Sequence, residues 1–132
     1  MELHADAPDT LRLVIIGGGE GGVRLLRELV QHPFIDVIAL VDRNPEAPGA
    51  IAAALNGIPV HASLAVCVES APLCADDVDM LLDLTGDPAV YVEATRLAAT
   101  WLPKPVAVVP TIVSRMIVSI IERQDTLIGA AS

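Results

Sequence analysis

Three glycines at a fixed spacing are the residues of this chain best suited to holding a ligand. Gly17, Gly19 and Gly22 form G-x-G-x-x-G within "LRLVIIGGGEGGVRLLREL". Each has a physical task if a strand enters the motif and a helix leaves it. Gly17 permits the tight turn, Gly19 lets the backbone approach a pyrophosphate, and Gly22 lets the helix pack closely on the strand. The first N–H groups of a helix lack partners inside it, and the helix dipole favours negative charge there. A phosphate can therefore sit on them without a basic side chain. Gly18, Glu20 and Gly21 fill the remaining positions. The Glu20 carboxylate would oppose a phosphate if aimed inward. Pointing to solvent, it is favoured by the dipole.

Asp42 lies 20 positions after Gly22, where a carboxylate accepts hydrogen bonds from an adenosine ribose. Arg43 follows directly and can face a 2′-phosphate, but Asp42 would repel that phosphate. NAD is therefore expected over NADP. A second cluster is "LLDLTGDP". Thr85 and Gly86, at the end of a strand, should edge the same cleft: Gly86 by close backbone approach, Thr85 by a hydrogen bond to a nicotinamide ribose. A buried Asp83 needs partners, and loop N–H groups are the expected ones. Asp87 is expected to cap the next helix, with Pro88 at its first position.

These residues need elements to position them. Leu11 to Ile16 reads as a buried strand, and Glu20 to Gln31 as a helix whose inner face is Val23, Leu25, Leu26, Leu29 and Val30. Pro33 ends it. "DVIALVD" is a second strand and "RNPEAPG" a loop. Ala50 to Leu55 is a short helix, "IPVH" a third strand, and "SLAVCVESA" a weak helix. "VDMLLDLTG" is the fourth strand, followed by a helix to about Trp101. "PVAVVP" is the fifth strand, and a helix covers Thr111 to about Ile128. Strands alternating with helices imply a doubly wound, five-stranded parallel sheet of order 3-2-1-4-5, with helices on both faces. Residues 1–10 are expected to be a flexible tail, 11–110 the nucleotide-binding domain, and 111–132 a terminal helix.

That helix carries apolar pairs: Ile112/Val113, Met116/Ile117, Ile120/Ile121 and Leu127/Ile128. They can cover the sheet. They can also pair with a second copy, because Ile117, Ile120, Gln124 and Leu127 have coiled-coil-like spacing.

Composition narrows the partners. The chain has 132 residues, a formal net charge of -9, 53% hydrophobic and 2% aromatic residues. An aliphatic core suits buried parallel strands. The few rings cannot stack bases, and the acidity repels phosphate backbones and anionic lipids. No run reaches the roughly eighteen apolar residues of a membrane span, and the first residues are polar and acidic. A cytoplasmic protein, without nucleic-acid or membrane partners, is expected. Cys67 and Cys74 are expected to be reduced thiols. His4, His32 and His61 have no partner at a catalytic spacing, Asp76, Asp77 and Asp79 read as a solvated loop, and Lys104 starts the fifth strand on the wrong edge. No catalytic or metal-ligating residue is expected.

The pattern "VIIGGGEGG…VIALVDRNPEAPG…GIPV…VDMLLDLTGDP" resembles the N-terminal nucleotide-binding domains of homoserine dehydrogenase, dihydrodipicolinate reductase and glucose–fructose oxidoreductase-like enzymes, over residues 11–110. The resemblance implies a Rossmann fold and an NAD(P) cofactor. In those families a second domain supplies the catalytic residues, and these 132 residues leave no room for it. "APGAIAAALNGIPV", "DLTGDP" and "IERQDTL" look closer to the Rossmann domain that precedes histidine kinases in some bacterial signalling proteins. That likeness implies a regulatory or sensory module binding a dinucleotide, with the last helix as connector or dimer contact. A part of an NAD(P)-dependent oxidoreductase and a ligand-free dimerisation scaffold are the alternatives.

Overall fold

The computed structural model describes residues 10–70, 78–100 and 106–131. The expected tail apart from its last residue, Cys74, Asp76, Asp77, Trp101 and Lys104 lie outside the described residues, as does His4. The elements run β1 (Leu11–Ile16), α1 (Glu20–Leu29), β2 (Ile35–Val41), α2 (Pro48–Leu55), β3 (Val60–His61), α3 (Leu64–Ser70), β4 (Met80–Asp83), α4 (Pro88–Thr100), β5 (Ala107–Val109) and α5 (Thr111–Ala131). The five strands form one sheet in the order β3-β2-β1-β4-β5, and every pair is parallel. This is the doubly wound α/β fold that the alternation of elements implies.

The sheet carries two separate cores because β1 and β2 are buried on both sides. On one side, Val14, Ile16, Ala39 and Val41 meet Leu64, Cys67, Ala94 and Ala98 from α3 and α4. On the other, Leu13, Ile15 and Leu40 meet Leu25, Leu26, Ala50, Ala53 and Val118 from α1, α2 and α5. Side chains alternate across a strand, so consecutive apolar residues in "LVII" feed both layers. Each large aliphatic chain so buried contributes about 1.5–3 kcal/mol. Alanine and glycine in α2 let that helix approach the first turn of the fold closely.

Several elements differ in extent from what the hydrophobic pattern alone suggests. Helix α1 stops at Leu29, ahead of the expected Gln31. Its carbonyls at Glu28 and Leu29 accept from Gln31 and His32 in tight turns instead, so Val30 turns 40% to solvent. Strand β4 covers Met80–Asp83 only, because Asp83 folds its carboxylate back onto the next residues and ends the ladder. Helix α2 starts two residues early, at Pro48, a position where proline's missing N–H costs nothing.

Helix α5 packs on the body through Ser114, Ile117, Val118 and Ile121, and its Glu122 meets Arg24 of α1 at 2.9 Å. Both partners of that ion pair are about half exposed, so it contributes at most about 1 kcal/mol. The opposite row, Ile112, Met116 and Ile120, is 73%, 55% and 53% exposed. Ile117 thus faces the body while Ile120 faces solvent, so the two do not share the single stripe that their spacing suggested.

Ser114 is fully buried, and its hydroxyl has no hydrogen-bond partner. An unmade buried hydrogen bond is destabilising by about 1–3 kcal/mol, and alanine is the better helix former. Ser114→Ala should therefore stabilise the fold by about 1 kcal/mol, read as a raised midpoint in thermal or urea unfolding.

Candidate functional site

The site is built where β1 ends. Gly17 leaves the strand at φ 110°, a conformation that side chains with a Cβ rarely adopt. Its N–H donates to the carbonyl of Val41 at 2.7 Å, so the turn is tied to the neighbouring strand. Gly19 is the N-cap of α1, and its carbonyl accepts the first helical bond, from Val23 at 2.9 Å. The N–H groups of Glu20, Gly21 and Gly22 thus open α1 without intrahelical partners.

The three glycines of the motif differ in what surrounds them. A Cβ on Gly22 would fall 2.2 Å from the carbonyl oxygen of Gly17. Only glycine lets α1 start this close to the strand. A Cβ on Gly19 would meet nothing within 4 Å, so the space beside it is open to a ligand. Glu20 is exposed and lies 3.6 Å from Arg24, directed along the helix surface. Its charge therefore has a partner one helical turn on.

Asp42 sits just beyond β2 and reaches back to the turn. Its Oδ2 accepts the Gly18 N–H at 2.7 Å, and its Oδ1 accepts the Asn44 N–H at 2.8 Å. The carboxylate is half-buried and held by both oxygens. Each oxygen keeps a lone pair for a further donor. Arg43 is exposed beside it.

The β4 end forms the other wall. Asp83 is 1% exposed. Its Oδ1 accepts from the Thr85 N–H at 2.9 Å and from the Thr85 hydroxyl at 2.7 Å. This is the loop-backbone partner expected of a buried acid there. The Thr85 oxygen in turn accepts the Asp87 N–H at 3.1 Å, so its proton is committed to Asp83 and it can only accept from a ligand. Asp87 caps α4 through the Ala89 N–H at 2.9 Å. Gly86, at φ 71°, donates its N–H to the Thr111 hydroxyl at 2.9 Å. The β4 loop is thereby joined to the first residue of α5.

These walls enclose a cleft of about 620 Å³ running over Gly17, Gly18 and Gly19 from Asp42 and Arg43 to Thr85. A second cleft of about 360 Å³ continues past Thr85 to Gly21, Gly86 and Arg115. The fold thus brings Gly17, Gly18, Gly19, Asp42, Arg43 and Thr85 to one cavity, and Gly21 and Gly86 to the adjoining one. Gly22 supports the turn from behind. Sequence reasoning did not single out Gly49, whose N–H donates to the Gly18 carbonyl at 2.5 Å. The "PG" opening α2 was its only signal, and that pair reads equally as a loop.

Among the described residues, no lysine, histidine, tyrosine or cysteine lines either cleft. No group of three or more His, Cys, Asp or Glu is placed to hold a metal. His32 accepts a hydrogen bond from the Phe34 N–H at 3.3 Å beyond α1, and Asp79 accepts from the Arg12 N–H at 2.8 Å at the opposite end of the strands. No helix among the described residues is long and apolar enough to cross a membrane.

No family model matches the chain, and no curated protein matches it. Among solved structures it is similar to GenD2 from gentamicin A biosynthesis, solved in complex with NAD. The two share 25% identity with a TM-score of 0.53, over 69% of this chain and 24% of the GenD2 chain. The fold is Rossmann-like. This chain therefore spans about a quarter of the protein it matches.

The glycine contacts separate two variants that the motif treats alike. Gly22→Ala should destabilise the fold by about 3 kcal/mol, because the methyl must displace backbone. Gly19→Val should leave the unfolding free energy within about 1 kcal/mol of that of the native chain. Denaturant unfolding of the pair, followed by circular dichroism, measures both.

Proposed function

We propose that this chain is a dinucleotide-binding module, that its ligand is NAD, and that it serves a regulatory or sensory role. The observation carrying the binding site is the Asp42 carboxylate, fixed at 2.7 Å on the Gly18 N–H at the mouth of an open phosphate turn. The NAD held by the similar GenD2 structure supports the same ligand.

In this reading the adenosine ribose donates its hydroxyls to the free lone pairs of Asp42. The pyrophosphate lies over Gly19, on the N–H groups of Glu20, Gly21 and Gly22, where the α1 dipole favours it. The nicotinamide half runs towards Thr85 and Gly86. A 2′-phosphate would stand within a few ångströms of the Asp42 carboxylate, and like charges about 4 Å apart repel by about 1–4 kcal/mol near a protein surface. Arg43 offsets only part of this, because it is exposed and free to turn to solvent.

The regulatory role rests on the hydrogen bond from Gly86 to Thr111. A ligand can shift a conformation only by binding two arrangements unequally. Contact with the β4 loop is passed through that bond to α5, whose outer row of Ile112, Met116 and Ile120 is the surface we assign to a homodimer. A second reading is favoured by the short span of the match, 24% of the GenD2 chain: the nucleotide-binding portion of a larger oxidoreductase. Hydride exchange between NADH and a small carbonyl compound would favour that reading over a pure binding module.

Calorimetric titration of ligand-free chain with NAD, NADH, NADP and NADPH tests the site. NAD should bind about tenfold or more tightly than NADP. Gly19→Val should abolish binding while the chain stays folded. Asp42→Ala should weaken both ligands, since Gly18 loses its anchor, yet collapse the NAD to NADP ratio towards one. Failure of all four nucleotides to bind would end the proposal. For the dimer, analytical ultracentrifugation should find a two-chain species that Met116→Glu converts to one chain; identical sedimentation of both proteins would remove α5 as the contact.

A further inference from the structure

The motif G-x-G-x-x-G leaves its second position open to any residue, yet here Gly18 is enclosed where Gly19 beside it is open. A Cβ on Gly18 would lie 3.0 Å from the Ala50 nitrogen, 3.2 Å from Asp42 Oδ2 and 3.3 Å from a Leu40 methyl. The enclosing helix is α2, and its own first turn is unusual. Its N-cap is Ala47, which offers no side-chain hydrogen bond, and Pro48 has no N–H. The N–H of Gly49 is the first orphan donor of the helix. Its acceptor is the Gly18 carbonyl, so the phosphate turn itself supplies the cap that a side chain ordinarily supplies.

Gly49 is not glycine for conformational reasons. Its φ lies outside the positive range, and in a helix glycine is a poor choice beside alanine. Space is the reason. A Cβ there would stand 2.8 Å from both Cα and the oxygen of Gly18, and 3.0 Å from its carbonyl carbon. All three are backbone atoms that cannot turn aside.

The loop from Asp42 to Gly49 closes the circuit. Asp42 Oδ1 holds the Asn44 N–H, the Asn44 side chain holds the Glu46 N–H at 2.9 Å, and the Asn44 carbonyl holds the Ala47 N–H at 3.1 Å. Asp42 and Gly49 therefore grip Gly18 from its two ends through one continuous, internally bonded loop.

We propose that Gly49 is a positioning residue for the dinucleotide site, setting the height of the Gly18–Gly19 backbone on which the pyrophosphate rests. This rests on the dinucleotide reading above for its ligand, but not for its geometry. Gly49→Ala pushes Gly18 off its seat. The helix keeps a better helix former, and the phosphate turn is displaced.

The test uses the isotope-labelled full chain, with Gly49→Ala compared against Ala53→Gly, which weakens the same helix at a fully buried position one helical turn further along. Gly49→Ala should move the Gly18 and Gly19 amide resonances in the ligand-free protein and weaken NAD about tenfold or more. Ala53→Gly should lower the unfolding midpoint yet leave those resonances in place and NAD affinity within about twofold. Equal effects of the two variants on the turn, or an unmoved turn in Gly49→Ala, overturn the proposal. If the native chain binds no NAD, the dinucleotide reading fails, and the amide resonances alone still decide whether Gly49 sets the turn. Should Gly49→Ala not fold, hydrogen exchange in the native chain decides. Saturating NAD should slow exchange at the Gly49 amide more than at Ile51, and equal slowing overturns the proposal.

Discussion

Gly18 is gripped at both ends. Its N–H is held by a carboxylate from the end of β2, and its carbonyl by the first available N–H of α2. A methyl group on Gly49 would stand 2.8 Å from the Gly18 backbone, and one on Gly18 would stand 3.0 Å from the Ala50 nitrogen. The rest of the carboxyl edge depends on that approach. Because α2 begins against the turn, the loop between β2 and α2 must be short and fold back on itself, which the nested bonds of Asp42 and Asn44 accomplish. Because the turn is held, the first N–H groups of α1 keep a fixed direction. A phosphate site made from backbone groups has no flexible side chains to adapt, so its affinity depends on such preorganisation.

The same logic makes the charge distribution intelligible. A chain with net charge -9 offers an unfavourable field to a dinucleotide that is itself anionic. The local arrangement counters the global one. Glu20 lies beside Arg24, Asp83 is occupied by Thr85, and Asp87 caps α4. Glu93, which also lines the cleft, pairs with Arg96, and Asp42 keeps lone pairs for the ribose of the proposed dinucleotide. In the proposed dinucleotide mode the Asp42 charge lies away from the phosphates, where a hydroxyl pair is wanted and a 2′-phosphate is not.

Much of this was legible in the residues. β1 and α1 follow from the strand–glycine–helix order, since β-branched runs and a helical stripe have different periods. The alternation of elements gave the strand order, because right-handed crossovers leave few arrangements. Asp83 and Asp87 were readable as local anchors, since Asp bonds backbone two residues on. What the residues concealed was long-range. Ile117 and Ile120 look equivalent until α1 and β4 choose which side of α5 is inside. Thr85 looks available until Asp83 takes its proton. Ser114 reads as one more polar position on an amphipathic helix, yet it is buried without a partner.

Gly49 shows the same limit most sharply. In sequence it is half of a "PG" pair, and glycine after proline ordinarily marks a turn. In the fold it is the second residue of a helix, where no turn chemistry applies. Its identity is set by an atom 31 positions earlier, the carbonyl oxygen of Gly18. A nucleotide fingerprint records residues contiguous along one strand–turn–helix unit, because that unit carries the phosphate contacts. The element that seats the unit belongs to the next crossover and enters at a distance set by loop length. Its signal is a small residue near the start of α2, which acquires meaning only when the two turns are brought together.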